Sequence, residues 1–347
     1  MKKVYKILIA IVVLVSFYSC AKEHKISTKI KLNKIAKVFN DSLLVCSTLN
    51  DSVVIENIKN GKIIFSKKIN DIEAIRPQPV LSKNNYLYAV FFENKLSCID
   101  IKTNTVKWNY VANEKINVIK SVNDSIVIIG IRDFGLVALN SRTGKIIYKL
   151  SDNEASNCPT TFVLDFVYDD KNIYVSDFQC NTITAFNLSN GEKKWSYGFD
   201  NYGPCKAIIY GDLIFCGTTG QPNNNQGRIF MLNKNTGRLV FEDTTNQFDI
   251  TTIPILYKDK VIYSTYDGKL VIFDLKNTKS ELLSDFSAIN GLCGGQLHLI
   301  NNYIYLDVCG NDIYGIDLKT KTFNRIGKVR KGLNEVYLYR NQVRFVY

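Results

Sequence analysis

The sequence predicts an all-β protein. A thirteen-residue strand–turn–strand segment recurs seven times without gaps, and a second strand–turn–strand unit lies upstream of every copy. The upstream turns return at intervals of about 43 residues from Asp41 to Asn341, the length expected of one four-stranded antiparallel sheet. Sheets of that size repeated along one chain bury their faces only against one another, so the predicted architecture is a β-propeller. The composition agrees: of 347 residues, 46% are hydrophobic, and there are only 6 Pro and no low-complexity tract to act as a linker.

The seven segments are VVIENIKNGKIIF from Val53, LSCIDIKTNTVKW from Leu96, LVALNSRTGKIIY from Leu136, ITAFNLSNGEKKW from Ile183, IFMLNKNTGRLVF from Ile229, LVIFDLKNTKSEL from Leu270 and IYGIDLKTKTFNR from Ile313. The fifth place is always Asn or Asp (Asn57, Asp100, Asn140, Asn187, Asn233, Asp274, Asp317), whose short side chain bonds the backbone ahead and nucleates the turn. The ninth is Gly61, Gly144, Gly191 or Gly237 in four copies, where positive φ costs least. The thirteenth is a ring in the first five copies: Phe65, Trp108, Tyr148, Trp195 and Phe241. Such a ring is placed to cover the seam between neighbouring sheets.

The upstream turns fall at Asn40-Asp41, Asn84-Asn85, Asn123-Asp124, Asp169-Asp170, Gly211-Asp212, Lys258-Asp259, Asn301-Asn302 and Arg340-Asn341. Their flanks are β-branched and aromatic, as in Tyr86–Val90 and Ile126–Ile129. Eight upstream units face only seven downstream ones, so the expectation is eight four-stranded blades, the last completed by the extended stretch Lys25 to Leu32. Pairing of the two chain ends removes free sheet edges. The alternative is seven blades with a C-terminal extension.

Residues 1–19 carry Lys2, Lys3 and Lys6 followed by an apolar run, Ile7 to Val15, that is too short to span a bilayer, and they read as a signal peptide. The run ends Phe17, Tyr18, Ser19, Cys20, which resembles the lipobox of bacterial lipoproteins. That resemblance implies cleavage before Cys20 and lipid on its sulfur. Phe17 and Tyr18 depart from the usual box. The expected division is then 1–19 signal, 20–33 lipidated tether and closing strand, and 34–347 propeller. No Asp follows Cys20, which by the same resemblance directs the chain to the outer membrane, at its periplasmic face or at the cell surface.

Leu96–Trp108 and Leu136–Tyr148 come nearest to the A-L-D-x-x-T-G-x-x-x-W segment of PQQ-like propeller repeats. With a lipobox and no second domain, the chain is similar to the propeller lipoproteins of outer-membrane β-barrel assembly, the BamB family. The resemblance implies a non-enzymatic scaffold whose partners are envelope proteins such as a barrel-assembly subunit, and it carries over no binding residues. Quinone-dehydrogenase relatives of the repeat need clustered calcium ligands and a stacking platform; no such cluster stands in the sequence, so no cofactor is expected.

The chemistry-bearing residues are sparse. His24 and His298 are the only histidines, which removes most hydrolytic and metal chemistry, and His298 reads as core or pore lining. Cys158 and Cys180 straddle the turn at Asp169, Cys293 and Cys309 that at Asn301, and Cys205 and Cys216 flank Gly211. Opposed strand positions lie within disulfide reach in an oxidising compartment; buried thiols serving as small hydrophobes are the alternative. Cys46 and Cys98 read as buried in strands. Asp133-Phe134-Gly135 matches a kinase tripeptide without its companion motifs and reads as a strand connection.

The longest connection within a blade is Gly217 to Arg228. Together with Phe91, Phe92, Arg132, Phe134, Phe178 and Tyr202 it forms the expected partner-binding rim, against the alternative of plain solvated loops. The chain carries 44 Lys and Arg against 32 Asp and Glu, a net +12 spread over its length, which favours acidic partners without naming one and offers no nucleic-acid footprint. The functional expectation is a monomeric, lipid-anchored interaction scaffold without catalysis. A surface-exposed glycan- or ligand-binding propeller is the alternative, and a PQQ-dependent oxidoreductase ranks last.

Overall fold

The computed structural model describes residues 32–346 apart from 40–42, 49–51, 58, 69–78, 83, 133–134, 151–162, 179, 201–202, 220–226, 244–249, 251–252, 266, 287–296, 309–311, 329–334 and 340–341. The signal segment, Cys20 and most of the expected closing strand therefore lie outside the described residues, where every regular element is a β-strand.

Blade 1 comprises β1 (Leu32–Phe39), β2 (Leu43–Thr48), β3 (Ser52–Asn57) and β4 (Lys62–Lys68). Blade 2 is β5 (Val80–Leu81), β6 (Tyr86–Phe91), β7 (Lys95–Asp100) and β8 (Thr105–Val111). Blade 3 is β9 (Ile116–Ser121), β10 (Ile126–Ile131), β11 (Gly135–Asn140) and β12 (Ile146–Leu150). Blade 4 is β13 (Val163–Tyr168), β14 (Asn172–Asp177), β15 (Thr182–Asn187) and β16 (Lys193–Gly198). Blade 5 is β17 (Ile208–Tyr210), β18 (Leu213–Gly217), β19 (Ile229–Asn233) and β20 (Leu239–Asp243). Blade 6 is β21 (Ile255–Tyr257), β22 (Lys260–Ser264), β23 (Lys269–Asp274) and β24 (Lys279–Asp285), and blade 7 is β25 (His298–Ile300), β26 (Tyr303–Val308), β27 (Asp312–Asp317) and β28 (Phe323–Lys328). A two-stranded hairpin follows, β29 (Glu335–Tyr339) and β30 (Gln342–Val346).

Each blade is an antiparallel meander in sequence order, innermost strand first. Innermost strands stand side by side, β5 against β9, β9 against β13 and β13 against β17, and β29 lies between β25 and β1. The terminal hairpin thus occupies the station that closes the ring.

The blade count corrects the expectation of eight. Seven four-stranded sheets are present, and the eighth upstream unit stays a two-stranded hairpin among the described residues. Leu32, assigned to the closing stretch, instead begins β1 and pairs with Thr48 of β2. Among the described residues no third or fourth strand pairs with this hairpin, and as two strands it stands between blades 7 and 1.

The seven turn segments fold as their residue types require. In every copy the fifth-place Oδ1 accepts the backbone N–H two residues on, from 2.7 Å at Asp317 to 3.0 Å at Asn140, Asn233 and Asp274. The ninth residue is left-handed in all seven, including the three without glycine: Asn104, Thr278 and Lys321 at φ 55°, 52° and 57°. The Asx turn imposes this geometry and tolerates the small strain of a side chain there.

The core is distributed between blades rather than within them. Along β10, Val127, Ile129 and Ile131 enter the cluster shared with blade 2, while Ile126 and Ile128 enter that shared with blade 4. Alternation of two sends one strand to two seams, which is why its whole run is apolar and buried.

Candidate functional site: the loop end and the seams that hold it

The meander places its first and third turns at one end of the ring. The connections between second and third strands, and those between blades, lie at the other. The latter, the loop end, carries every described residue of the expected rim. Backbone bonds hold these loops together: Ala112 and Ile116 donate to Asn94 and Glu93 of the preceding blade at 2.9 and 2.8 Å, and Arg132 N–H donates to Lys115 O at 2.7 Å. Phe199 donates to Asn181, and Thr219 to Gly203, in the same manner.

The rim residues divide. Phe92 is 55% exposed and Phe178 39% exposed, and Arg132 is exposed between them on blade 3. Phe178 rests over the backbone of Gly203, where an added Cβ would stand 2.4 Å from its ring. Phe91 turns inward, half-buried against the core between blades 1 and 2. Arg228 forms an ion pair with Glu242 and is half-buried, which makes it part of the base of its loop. Phe134 and Tyr202 lie outside the described residues, as do 220–226 of the long connection. What the structure presents outward is therefore Phe92, Arg132 and Phe178, one on each of three consecutive blades.

The cysteines also divide. Cys205 and Cys216 do not pair, contrary to expectation. Cys205 packs on the blade 5–6 core and donates to Ile250 O at 3.0 Å, whereas Cys216 faces the blade 4–5 core and donates to Gly217 O at 3.3 Å. They flank a turn in sequence but their side chains leave opposite faces of one sheet. Cys180 is disulfide-bonded. Cys158, Cys293 and Cys309 lie outside the described residues. Cys98 is a buried thiol, and burial pushes its pKa up to about 12. His298 is buried on the innermost strand β25.

Two arrangements went unread in the sequence. The first is how the ring at the thirteenth place works. In the first five copies the third residue pairs with the thirteenth and the fourth with the eleventh, so the twelfth is a bulge. The bulge re-aims the ring across the seam. Trp108 Nε1 donates to Ser141 O at 3.0 Å, Tyr148 Oη to Leu188 O at 2.9 Å and Trp195 Nε1 to Lys234 O at 2.9 Å, in each case the sixth residue of the next copy. The ring lies on the next copy's glycine: a Cβ on Gly144 or Gly237 would meet the indole at 2.6 Å. Gly61, in blade 1, would meet nothing nearer than Glu56 Oε1 at 3.7 Å, because among the described residues the hairpin β29–β30 beside blade 1 has no outer strand to supply a ring. In copies six and seven, which have Leu282 and Arg325 at the thirteenth place, the bulge moves to the first and second residues.

The second is a charged strap across the innermost strands of blades 3, 4 and 5. Asp165 on β13 pairs with Lys120 on β9 and, at 2.6 Å, with Lys206 just before β17. Lys120 also donates to Phe166 O and stands 4.6 Å over the Phe166 ring centre. Burial alone would raise the Asp165 pKa, but the two ammonium groups outweigh it and hold the carboxyl below its ordinary value. Lone Lys and Asp residues, each in a different blade, offered no local signal. Among the described residues no group of three or more His, Cys, Asp or Glu is placed to hold a metal ion.

A ring of four-stranded sheets, stapled seam to seam by repeat-encoded aromatics and presenting loops at one end, defines a β-propeller of PQQ-like repeats. The family described as outer membrane protein assembly factor BamB matches residues 25–150 and 120–326, and the chain belongs to it. BamB from Moraxella catarrhalis has the same fold, with TM-score 0.60 and 18% identity over 80% of this chain and 85% of that one. The computationally designed Ika8 protein superposes with TM-score 0.70 at 12% identity, covering 92% of this chain and 94% of Ika8. These two are likenesses of fold. In sequence the chain is 24% identical over 268 residues to the Rickettsia conorii (strain ATCC VR-613 / Malish 7) protein named Uncharacterized protein RC0314; the match takes in 72% of this chain and spans 62% of that relative's length.

Proposed function

We propose that the protein is a non-enzymatic scaffold of the cell envelope, anchored in the outer membrane through lipid on Cys20, that holds protein partners of outer-membrane protein assembly on its loop end. The observation that carries the reading is the family match across residues 25–326. The residues shared between blades support it, since the repeat's aromatic rings act in the seams. Phe92, Arg132 and Phe178 are the contact residues, because they are the expected rim residues exposed on adjacent, backbone-tied loops. Aromatic and arginine anchors of this kind supply most of the energy of protein interfaces.

The test is crosslinking in native membranes followed by co-purification. The scaffold reading expects a protein partner whose capture falls at least tenfold in a Phe92→Ser, Phe178→Ser double variant that melts like the parent. Unchanged capture would remove the rim from the interface. Absence of labelled lipid on the full chain, with a Cys20→Ala variant indistinguishable from the parent, would remove the anchor.

A further inference from the structure

The turn end of the ring, opposite the rim, carries an arrangement that scaffolding does not use. Its carboxylates are largely answered: Asp100 by Lys107, Asp169 and Asp212 by Lys234, Asp259 by Lys276, Asp274 by Lys260 and Glu281 by Lys321. A different set of cations is left over. Lys62, Lys102, Arg142, Lys171, Arg238, Lys279 and Lys319 stand one to each of blades 1 to 7, all exposed and none within ion-pair distance of a described carboxylate. Beside them, at the start of the outer strands, lie exposed apolar side chains: Ile63 and Ile64 after Lys62, Ile146 and Ile147 after Lys145, Leu239 and Val240 after Arg238, and Phe323 in blade 7.

We propose that this turn end docks on an anionic lipid surface. Cations distributed one to each of the seven blades, at the seventh or tenth place of the segment or, for Lys171, in the upstream turn, match an extended sheet of negative charge, whereas a single folded partner selects a few blades. Each surface lysine or arginine adds to attraction toward anionic headgroups, and adjoining aliphatic side chains partition into the interfacial layer. The twelfth-place bulge contributes by turning Ile64, Ile147 and Val240 out of the strand pairing and into the exposed edge. The proposal does not depend on the loop-end reading, because no residue is shared between the two ends.

The experiment is flotation of the full chain with vesicles of phosphatidylcholine alone and of phosphatidylcholine mixed equally with phosphatidylglycerol. The leader brings Lys2, Lys3 and Lys6 into every sample, so its own preference for anionic vesicles is divided out by comparing each variant with the parent on the same vesicles. Preference for the anionic vesicles should fall on the order of a hundredfold when Lys62, Arg142 and Arg238 are changed together to Gln. In the unaltered chain the preference should vanish at molar salt, a reading that needs no variant to fold. An Ile146→Ser, Leu239→Ser variant should weaken binding without changing the salt dependence. Equal partition of the unaltered chain between the two vesicles, or a preference that survives either the triple substitution or high salt, overturns the proposal. Equal partition combined with crosslinks from the same turns to an acidic protein would assign the surface to that protein instead.

Discussion

Replacing Gly237 by Ala loads two separable costs onto one turn. Its φ of +69° is one that an L side chain adopts at about 1–2 kcal/mol. The new Cβ would also stand 2.6 Å from Cδ2 and Cε3 of Trp195, so the indole must retreat. Retreat loosens the 2.9 Å bond from Trp195 Nε1 to Lys234 O, worth about 1 kcal/mol, and opens the packing around the ring. The total is about 3–4 kcal/mol. Gly61 supplies the internal control, since its φ is +67° but its Cβ would find only Glu56 Oε1 at 3.7 Å. Gly61→Ala should therefore cost about 1–2 kcal/mol. Urea unfolding of both variants, followed by tryptophan fluorescence and far-UV circular dichroism, reads the difference. In a Trp195→Ala background the cost of Gly237→Ala should drop to that of Gly61→Ala. Equal costs at the two glycines, or an undiminished cost without the indole, would refute the seam argument.

Other outcomes follow from the same geometry. Asp165→Asn leaves Lys120 and Lys206 facing each other across a partly buried strap and should destabilise by about 2–4 kcal/mol in thermal or urea melts. Because the folded Asp165 pKa lies below its unfolded value, its stabilisation is whole above the unfolded pKa of about 3.9 and is lost as pH falls through the folded one. Acid melts of parent and variant should converge there. Cys98 and Cys216, whose thiol pKa values are raised by burial, should resist iodoacetamide at pH 8 in the native protein and react in denaturant, as read by mass spectrometry. Phe92→Ser should leave the melting temperature within about a degree of the parent, since the ring is 55% exposed; a large loss would show that it packs.

How much was legible in the residues differs from element to element. All seven downstream hairpins and the described upstream turns lie where Asn, Asp and Gly placed them, because an Asx turn is a local event, complete within five or so residues. The rings at the thirteenth place were legible as seam covers, but not their hydrogen-bond partners, which sit 33 to 40 residues onward in another sheet. Cys205 and Cys216 misled for a related reason: symmetry about a turn predicts neighbouring backbones, while one bulge or a one-residue shift decides which face a side chain takes. The rim was legible only as a set of loops; exposure separated Phe92, Arg132 and Phe178 from the inward Phe91 and the paired Arg228.

By itself, then, the amino-acid order determined the repeat, its turns, its strands and hence the propeller. These depend on contacts within one period of about 43 residues. The tertiary structure alone decided the blade number, the face each cysteine takes, the Lys120–Asp165–Lys206 strap and the split between a loop end and a basic turn end. Closing a ring brings these about together, because the last hairpin stands between β25 and β1 and seam contacts such as Lys234–Asp169 and Lys321–Glu281 form only when neighbouring blades meet.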